Sequence, residues 1–195
     1  MSKKLDLERE KDAVDLVTNS MFTLDLLEQL TLAIRDPEAG KVPVRDFYLQ
    51  WLAARKLTEH KPPFNLGAIT GYIYCGLLLT KENWADLLPN ETLDTLDADW
   101  GISRLKVAAL LNSNPDLVYT IRRIRNSLGH ANFFFTVPDN FTPENVHETV
   151  TITFRDTNQR NPADTFEVEL KMLQIEKLIK KFQSVVHTTM KSKTS

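Results

Sequence analysis

The apolar residues of this 195-residue chain recur at two different spacings, and the order of those spacings constrains the fold. Through most of the chain they recur every three to four residues, which is the period of an amphipathic helix. Between Phe133 and Leu170 they alternate with polar residues, as in a strand, and from Lys171 the helical period returns. The pattern predicts a mainly α-helical bundle with a small antiparallel β-hairpin or sheet inserted before the C-terminal helix.

Proline, glycine and polar breaks divide the helical part into separate segments. Helices are expected at about 5–35, 44–58, 66–79, around Trp84, from Ser103 through Leu111, at 115–130 and at 171–189. An apolar stripe suited to burial follows the first of them through Val14, Val17, Met21, Leu24 and Leu27. In the third, Gly67 and Gly71 predict close approach of a neighbouring element, and Cys75 is expected in the core.

The length and composition favour a single domain over residues 1–195, because 42% hydrophobic residues can build one packed core. Residues 133–170 are the β insertion, and residues 191–195 are expected to form a disordered tail. The single cysteine, the polar start of the chain and the short apolar runs indicate a cytoplasmic protein without a membrane partner.

The charge and the histidine spacing restrict the kinds of site that we expect. A net charge of -2 provides no general attraction to a polyanion, so nucleic-acid binding requires a local basic patch. His60, His147 and His187 lack metal-ligand spacing and a cysteine partner, and no glycine-rich phosphate loop joins a strand to a helix. We therefore expect neither a metal nor a cofactor.

The helix at 115–130 separates apolar from polar side chains, with Asn114 as its expected N-cap and Pro115 in its first turn. A core stripe is expected at Leu117, Ile121, Ile124 and Leu128. The opposite side is expected to be an exposed polar row of Tyr119, Arg123, Asn126 and His130. Such a row indicates a function.

The stretch from Arg125 through Asn126 to His130 resembles the Arg-Asn-x-x-x-His signature of HEPN domains, helical bundles found in RNA-cleaving toxins and defence nucleases. The aromatic run at 133–135 and the strand at 151–156 are similar to a bacterial HEPN subgroup that has a hairpin after this helix. The specific resemblance covers residues 117–170. It implies a metal-independent endoribonuclease that acts through the ribose 2′-hydroxyl.

The resemblance implies that Arg125, Asn126 and His130 are catalytic. His130 would accept the proton of the 2′-hydroxyl or protonate the leaving oxygen, because histidine exchanges a proton near neutral pH. Arg125 would stabilise charge on the phosphate. Asn126 would orient His130, contact the phosphate or cap the helix. Tyr119, Arg122 and Arg123 are candidate substrate-binding residues or ordinary surface residues.

Helix geometry separates Arg125 from His130 by about 140° around the axis. The gap would be closed by the long arginine side chain, by an unwound helix end at Gly129 or by a second protomer. The resemblance favours the last, a homodimer with a composite active site. In the structural alternative, Gly129 is a left-handed cap and His130 only interacts with the helix dipole.

Two classes of function follow from this resemblance. The first is a ribonuclease that acts as a toxin or an antiviral defence effector, with RNA as its substrate and an antitoxin or regulatory protein as a further partner. The second is a noncatalytic HEPN bundle that binds RNA, a nucleotide or a protein. The joint presence of Arg125, Asn126 and His130 favours the ribonuclease.

Overall fold

A computed structural model describes residues 7–58, 64–79, 85–109, 111–142 and 144–194. The chain forms two compact units, residues 1–72 and 73–195, so a single domain over residues 1–195 stays a prediction. In the part of the chain that the structure describes, no helix has both the length and the apolar character that a bilayer span requires.

The first unit is helical, and its elements begin close to the expected positions. They are α1 (Leu7–Arg35), a 3-10 turn (Ala39–Lys41), α2 (Val44–Ala54) and α3 (Leu66–Ile73), which ends at the start of the second unit. A Cβ at Gly67 would lie 2.5 Å from the carbonyl oxygen of Leu16, so α1 and α3 make the close approach that this glycine predicted. A Cβ at Gly71 would meet no atom within 4 Å among the described residues, so the close approach predicted at this second glycine is wrong.

The apolar stripe of α1 was expected to be buried, and this prediction is wrong. Val14, Val17, Met21, Leu24 and Leu27 are 50–69% exposed. The packed side of the helix instead carries Leu26, which is buried, and polar residues such as Thr23, whose hydroxyl accepts a hydrogen bond from Asn65. Because α1 has apolar residues on every side, its periodicity could not identify the buried face.

The second unit contains a four-stranded antiparallel sheet in the order β1-β4-β3-β2. Its strands are β1 (Ala108–Ala109), β2 (Phe133–Thr136), β3 (Thr151–Thr157) and β4 (Thr165–Lys171). The last three confirm the predicted β insertion. The helix expected from Ser103 is wrong for the described residues, because Ala108 and Ala109 pair with the outer edge of β4 instead.

The second unit also contains helices and short turns. They are a π-helix (Tyr74–Leu79) that continues α3, 3-10 turns (Ala85–Leu87 and Ala98–Trp100), α4 (Leu117–Gly129), α5 (Val146–Thr149) and α6 (Met172–Thr194). Cys75 is exposed, contrary to expectation, and Trp84 lies outside the described residues. α6 extends through residues expected to form the tail, since no proline or glycine interrupts the chain before Thr194.

The core of the second unit lies between α4, the inner face of the sheet and α6. The predicted stripe of α4 is buried completely, at no more than 1% exposure. Its neighbours in the core are the alternate strand residues Ile152, Phe154, Phe166, Val168 and Leu170, and the α6 residues Ile175, Leu178, Ile179 and Phe182. This packing places the polar side of α4 beside the end of β3.

Candidate functional site

The N-terminus of α4 lies two residues later than the sequence predicted. Asp116 is the N-cap, and its carboxylate accepts the backbone N–H of Tyr119 at 2.6 Å. The prediction of Asn114 as the cap is wrong, because Pro115 and Leu117 form backbone hydrogen bonds with Leu93 and Glu91. The chain is therefore extended through Pro115, and the helix starts only at Leu117.

The C-terminus of α4 ends in a Schellman motif that determines where His130 lies. The N–H of Ala131 donates to the carbonyl of Leu128 at 2.9 Å, and that of Asn132 donates to Ser127 at 2.7 Å. The left-handed residue is Ala131, with φ of 48°, so the interpretation of Gly129 as the left-handed cap is wrong. Gly129 is the last helical residue, and the helix is not unwound there.

Arg123 was expected in an exposed row, but only 4% of the residue is accessible. Its Nε lies 2.9 Å from Oδ2 of Asp156, and its Nη1 lies 3.1 Å from Oδ2 of Asp164. Its Nη2 also donates to the backbone carbonyls of both aspartates. The two carboxylates neutralise the charge of Arg123, so this residue holds α4 against β3 and the β3–β4 turn.

The ring of Tyr119 packs against the side chains of Arg122 and Arg123. Its ring contacts Phe166 edge-on, and the guanidinium groups of Arg122 and Arg123 lie 5.5 and 5.7 Å from the ring centre. Its hydroxyl is buried without a hydrogen-bond partner among the described residues, and burial raises the pKa of this phenol. Tyr119 therefore helps to hold the side chains of Arg122 and Arg123 in place.

Asn126 reaches the same carboxylate as Arg123. Its Nδ2 donates to Oδ2 of Asp156 at 3.2 Å. A carboxylate accepts hydrogen bonds and does not donate them, so the amino end of the amide must face Asp156. Among the residues that the structure describes, none donates a hydrogen bond to Oδ1 of Asn126.

A polar cleft of about 330 Å³ lies between α4 and the end of β3. It is lined by Arg122, Arg123, Asn126, His130, Asp156, Thr157, Asn158, Gln159 and Asp164. Asn126, His130 and the predicted binding residues Arg122 and Arg123 therefore meet in one place. Arg125 is half-buried and, like Tyr119, is not among the lining residues, in agreement with its angular offset from His130.

The residues that β3 and the following turn contribute to this cleft were not predicted from the sequence. One signal was present: Asp156 continues the alternation of Ile152 and Phe154, so it occupies an inward position of the strand. A carboxylate at such a position needs a buried partner. The identity of that partner, Arg123, follows only from the packing of α4 on β3.

The charges in the cleft leave one arginine accessible to a ligand. Arg123 is paired with Asp156 and Asp164, whereas Arg122 is exposed and forms no ion pair within the described ranges. An exposed guanidinium is well suited to phosphate oxygens. The described part of the chain contains no cluster of three or more histidine, cysteine, aspartate or glutamate side chains arranged to hold a metal.

A family model described as HEPN pEK499 p136 matches residues 7–193. The match extends over nearly the whole chain and contains α4, the sheet and the cleft. Neither the curated proteins nor the solved structures contain a match to this chain.

Proposed function

Because the chain belongs to the HEPN pEK499 p136 family, we propose that it is a metal-independent endoribonuclease. HEPN families are associated in general with nuclease or nucleotide-related functions, and HEPN domains often bind RNA and form dimers. The observation that carries the proposal is the cleft in which Asn126 and His130 lie beside the exposed Arg122.

In the proposed reaction the 2′-hydroxyl of RNA attacks the neighbouring phosphorus. A bond forms between O2′ and phosphorus, and the bond from phosphorus to O5′ breaks, leaving a 2′,3′-cyclic phosphate and a 5′-hydroxyl. His130 carries out one of the two proton transfers, from O2′ or to O5′, and water carries out the other. Arg122 binds the phosphate, and Arg125 stabilises the charge that develops on it.

Arg125 does not line the cleft that holds His130, so we propose that the active unit is a homodimer. In each composite cleft, His130 acts together with the partner's Arg125. We further propose that the protein is a cytoplasmic toxin or antiviral defence effector, controlled by an antitoxin or regulatory protein. If the cleft proves inactive, the absence of Arg125 from its lining favours a noncatalytic module that binds RNA, a nucleotide or a protein.

Purified protein is expected to cleave RNA in the presence of EDTA, because the nucleophile belongs to the substrate. The products should carry 2′,3′-cyclic phosphate and 5′-hydroxyl ends, which gel mobility before and after phosphatase and kinase treatment would show. DNA of the same sequence should remain intact. A folded protein that leaves a broad RNA panel uncut would support the noncatalytic binding module instead.

Each composite cleft takes His130 from one subunit and Arg125 from the other. Two inactive variants are therefore expected to restore activity when they are mixed. In a heterodimer of Arg125→Ala and His130→Ala subunits, one cleft keeps both side chains and the other lacks both. A 1:1 mixture that exchanges subunits should therefore recover about one quarter of the wild-type rate. The rate is compared with each variant alone, and solution scattering reports the dimer. Absence of recovery in a confirmed heterodimer contradicts the composite cleft.

A further inference from the structure

We propose that Asp156 is a positioning residue that orients the amide of Asn126, so that Oδ1 of Asn126 accepts a hydrogen bond from the ribose 2′-hydroxyl. The inference rests on the proposed function and adds to it the group that recognises RNA. Asp156 itself does not touch the substrate. It acts through the side chain that it holds.

Asp156 has an environment that a carboxylate occupies only when its oxygens are satisfied. Its side chain is 6% exposed and follows Ile152 and Phe154 on the inner face of β3. Burial of an ionised carboxylate is costly unless a cation and hydrogen-bond donors surround it. Both contacts are made at Oδ2 of Asp156, where Arg123 supplies the cation at 2.9 Å and Nδ2 of Asn126 supplies a donor at 3.2 Å.

Charge balance does not require the contact with Asn126. Arg123 already has two carboxylate partners, Asp156 and Asp164, and the amide of Asn126 is neutral. The contact does determine which end of the amide faces Asp156, since a flipped amide would place its oxygen against the carboxylate. Oδ1 is therefore the end of the Asn126 side chain left for the cleft, and no described residue donates to it.

Oδ1 of Asn126, the acceptor in this cleft, lies on the same side of α4 as His130, which is one helical turn away. The ribose 2′-hydroxyl is a hydrogen-bond donor, and DNA lacks it. A hydrogen bond from this hydroxyl to Oδ1 would hold the nucleophilic oxygen in one orientation. A deoxyribose in the same cleft would leave Oδ1 without a donor, which would disfavour DNA.

The test exchanges the two side chains, because an exchange distinguishes orientation from simple stability. Asp156→Leu removes the acceptor that holds the amide of Asn126, so that the amide can flip, and kcat/KM on RNA should fall roughly tenfold, the effect of one lost hydrogen bond. Asn126→Asp places two carboxylates together and should lower kcat roughly a hundredfold. Asp139→Asn, on an exposed loop, is the matched control and should leave the rate unchanged.

The double variant Asn126→Asp with Asp156→Asn is the decisive measurement. The new asparagine donates to the new aspartate, whose second oxygen again faces the cleft as an acceptor. This variant should cleave RNA within about tenfold of the wild type and clearly faster than Asn126→Asp alone. A double variant no faster than Asn126→Asp, or a wild-type kcat/KM in Asp156→Leu, overturns the inference.

Binding measurements separate this inference from the proposed function. A single-stranded RNA and its all-deoxy counterpart are titrated against wild-type protein and Asp156→Leu, with thermal melting as the check on folding. The wild type should prefer RNA, and the preference should fall roughly tenfold in the variant. An unchanged preference overturns the inference whether or not the protein cleaves RNA. If Asp156→Leu does not fold, the comparison of the double variant with Asn126→Asp tests the inference instead.

Discussion

Replacing His130 with alanine is expected to reduce the rate of RNA cleavage by at least about a hundredfold, the low end of the effect of removing a positioned acid or base. The cleft would retain Arg122 and Asn126, so RNA would still bind while the proton transfer would be lost. The loss should therefore appear in kcat, measured on a single defined RNA with the variant and the wild type at equal concentration.

His187→Ala is the matched control for this experiment. His187 is exposed on α6 of the same unit and does not line the cleft, so its removal should leave the cleavage rate within about twofold, as for an ordinary surface substitution. His130 is exposed at the end of α4, so His130→Ala should melt near the wild type. Unchanged cleavage by a folded His130→Ala protein would contradict the proposed mechanism.

The second large effect concerns stability. Arg123→Met is expected to lower the free energy of unfolding by about 3–5 kcal/mol, the usual cost of removing one partner of a buried ion pair. The substitution leaves the carboxylate of Asp156, which is 6% exposed, without its cation. It also removes the hydrogen bonds to the carbonyls of Asp156 and Asp164. Urea unfolding followed by circular dichroism measures the difference.

Arg122→Met is the control, because it removes the same group from the neighbouring position on the exposed surface of α4. It should change stability by no more than about 0.5 kcal/mol. It should weaken RNA binding, since Arg122 is the arginine of the cleft that forms no ion pair with described residues. Equal stability losses for the two variants would contradict a special contribution of the buried Arg123 ion pairs to the fold.

The periodicity of the sequence was sufficient where one face of an element is apolar and the other polar. α4 is such a helix, and its four predicted core residues are all buried. The strands β2, β3 and β4 follow from the same argument, because alternation places every second side chain on the inner face. In these elements the pattern specifies both the secondary structure and the buried side.

Elsewhere, only the tertiary structure determined the outcome. Apolar and polar residues are mixed on all sides of α1, so its buried face depends on what packs against it. β1 consists of two alanines whose conformation depends on the edge of β4. Arg123 lies on the side of α4 that the sequence predicted to be polar and exposed, but it is buried. Asp156 and Asp164, more than 30 positions later in the chain, pair with its guanidinium.

One part of the candidate site could likewise be predicted from the sequence, and the other part could not. The Arg-Asn-x-x-x-His segment identified Asn126 and His130 from the sequence alone, because both belong to one helix with a known rotation per residue. The opposite wall of the cleft, from Asp156 to Asp164, was recognised only in the structure. Contacts between residues distant in sequence depend on how a helix and a strand pack together, and the spacing of residues within either element carries no information about that packing.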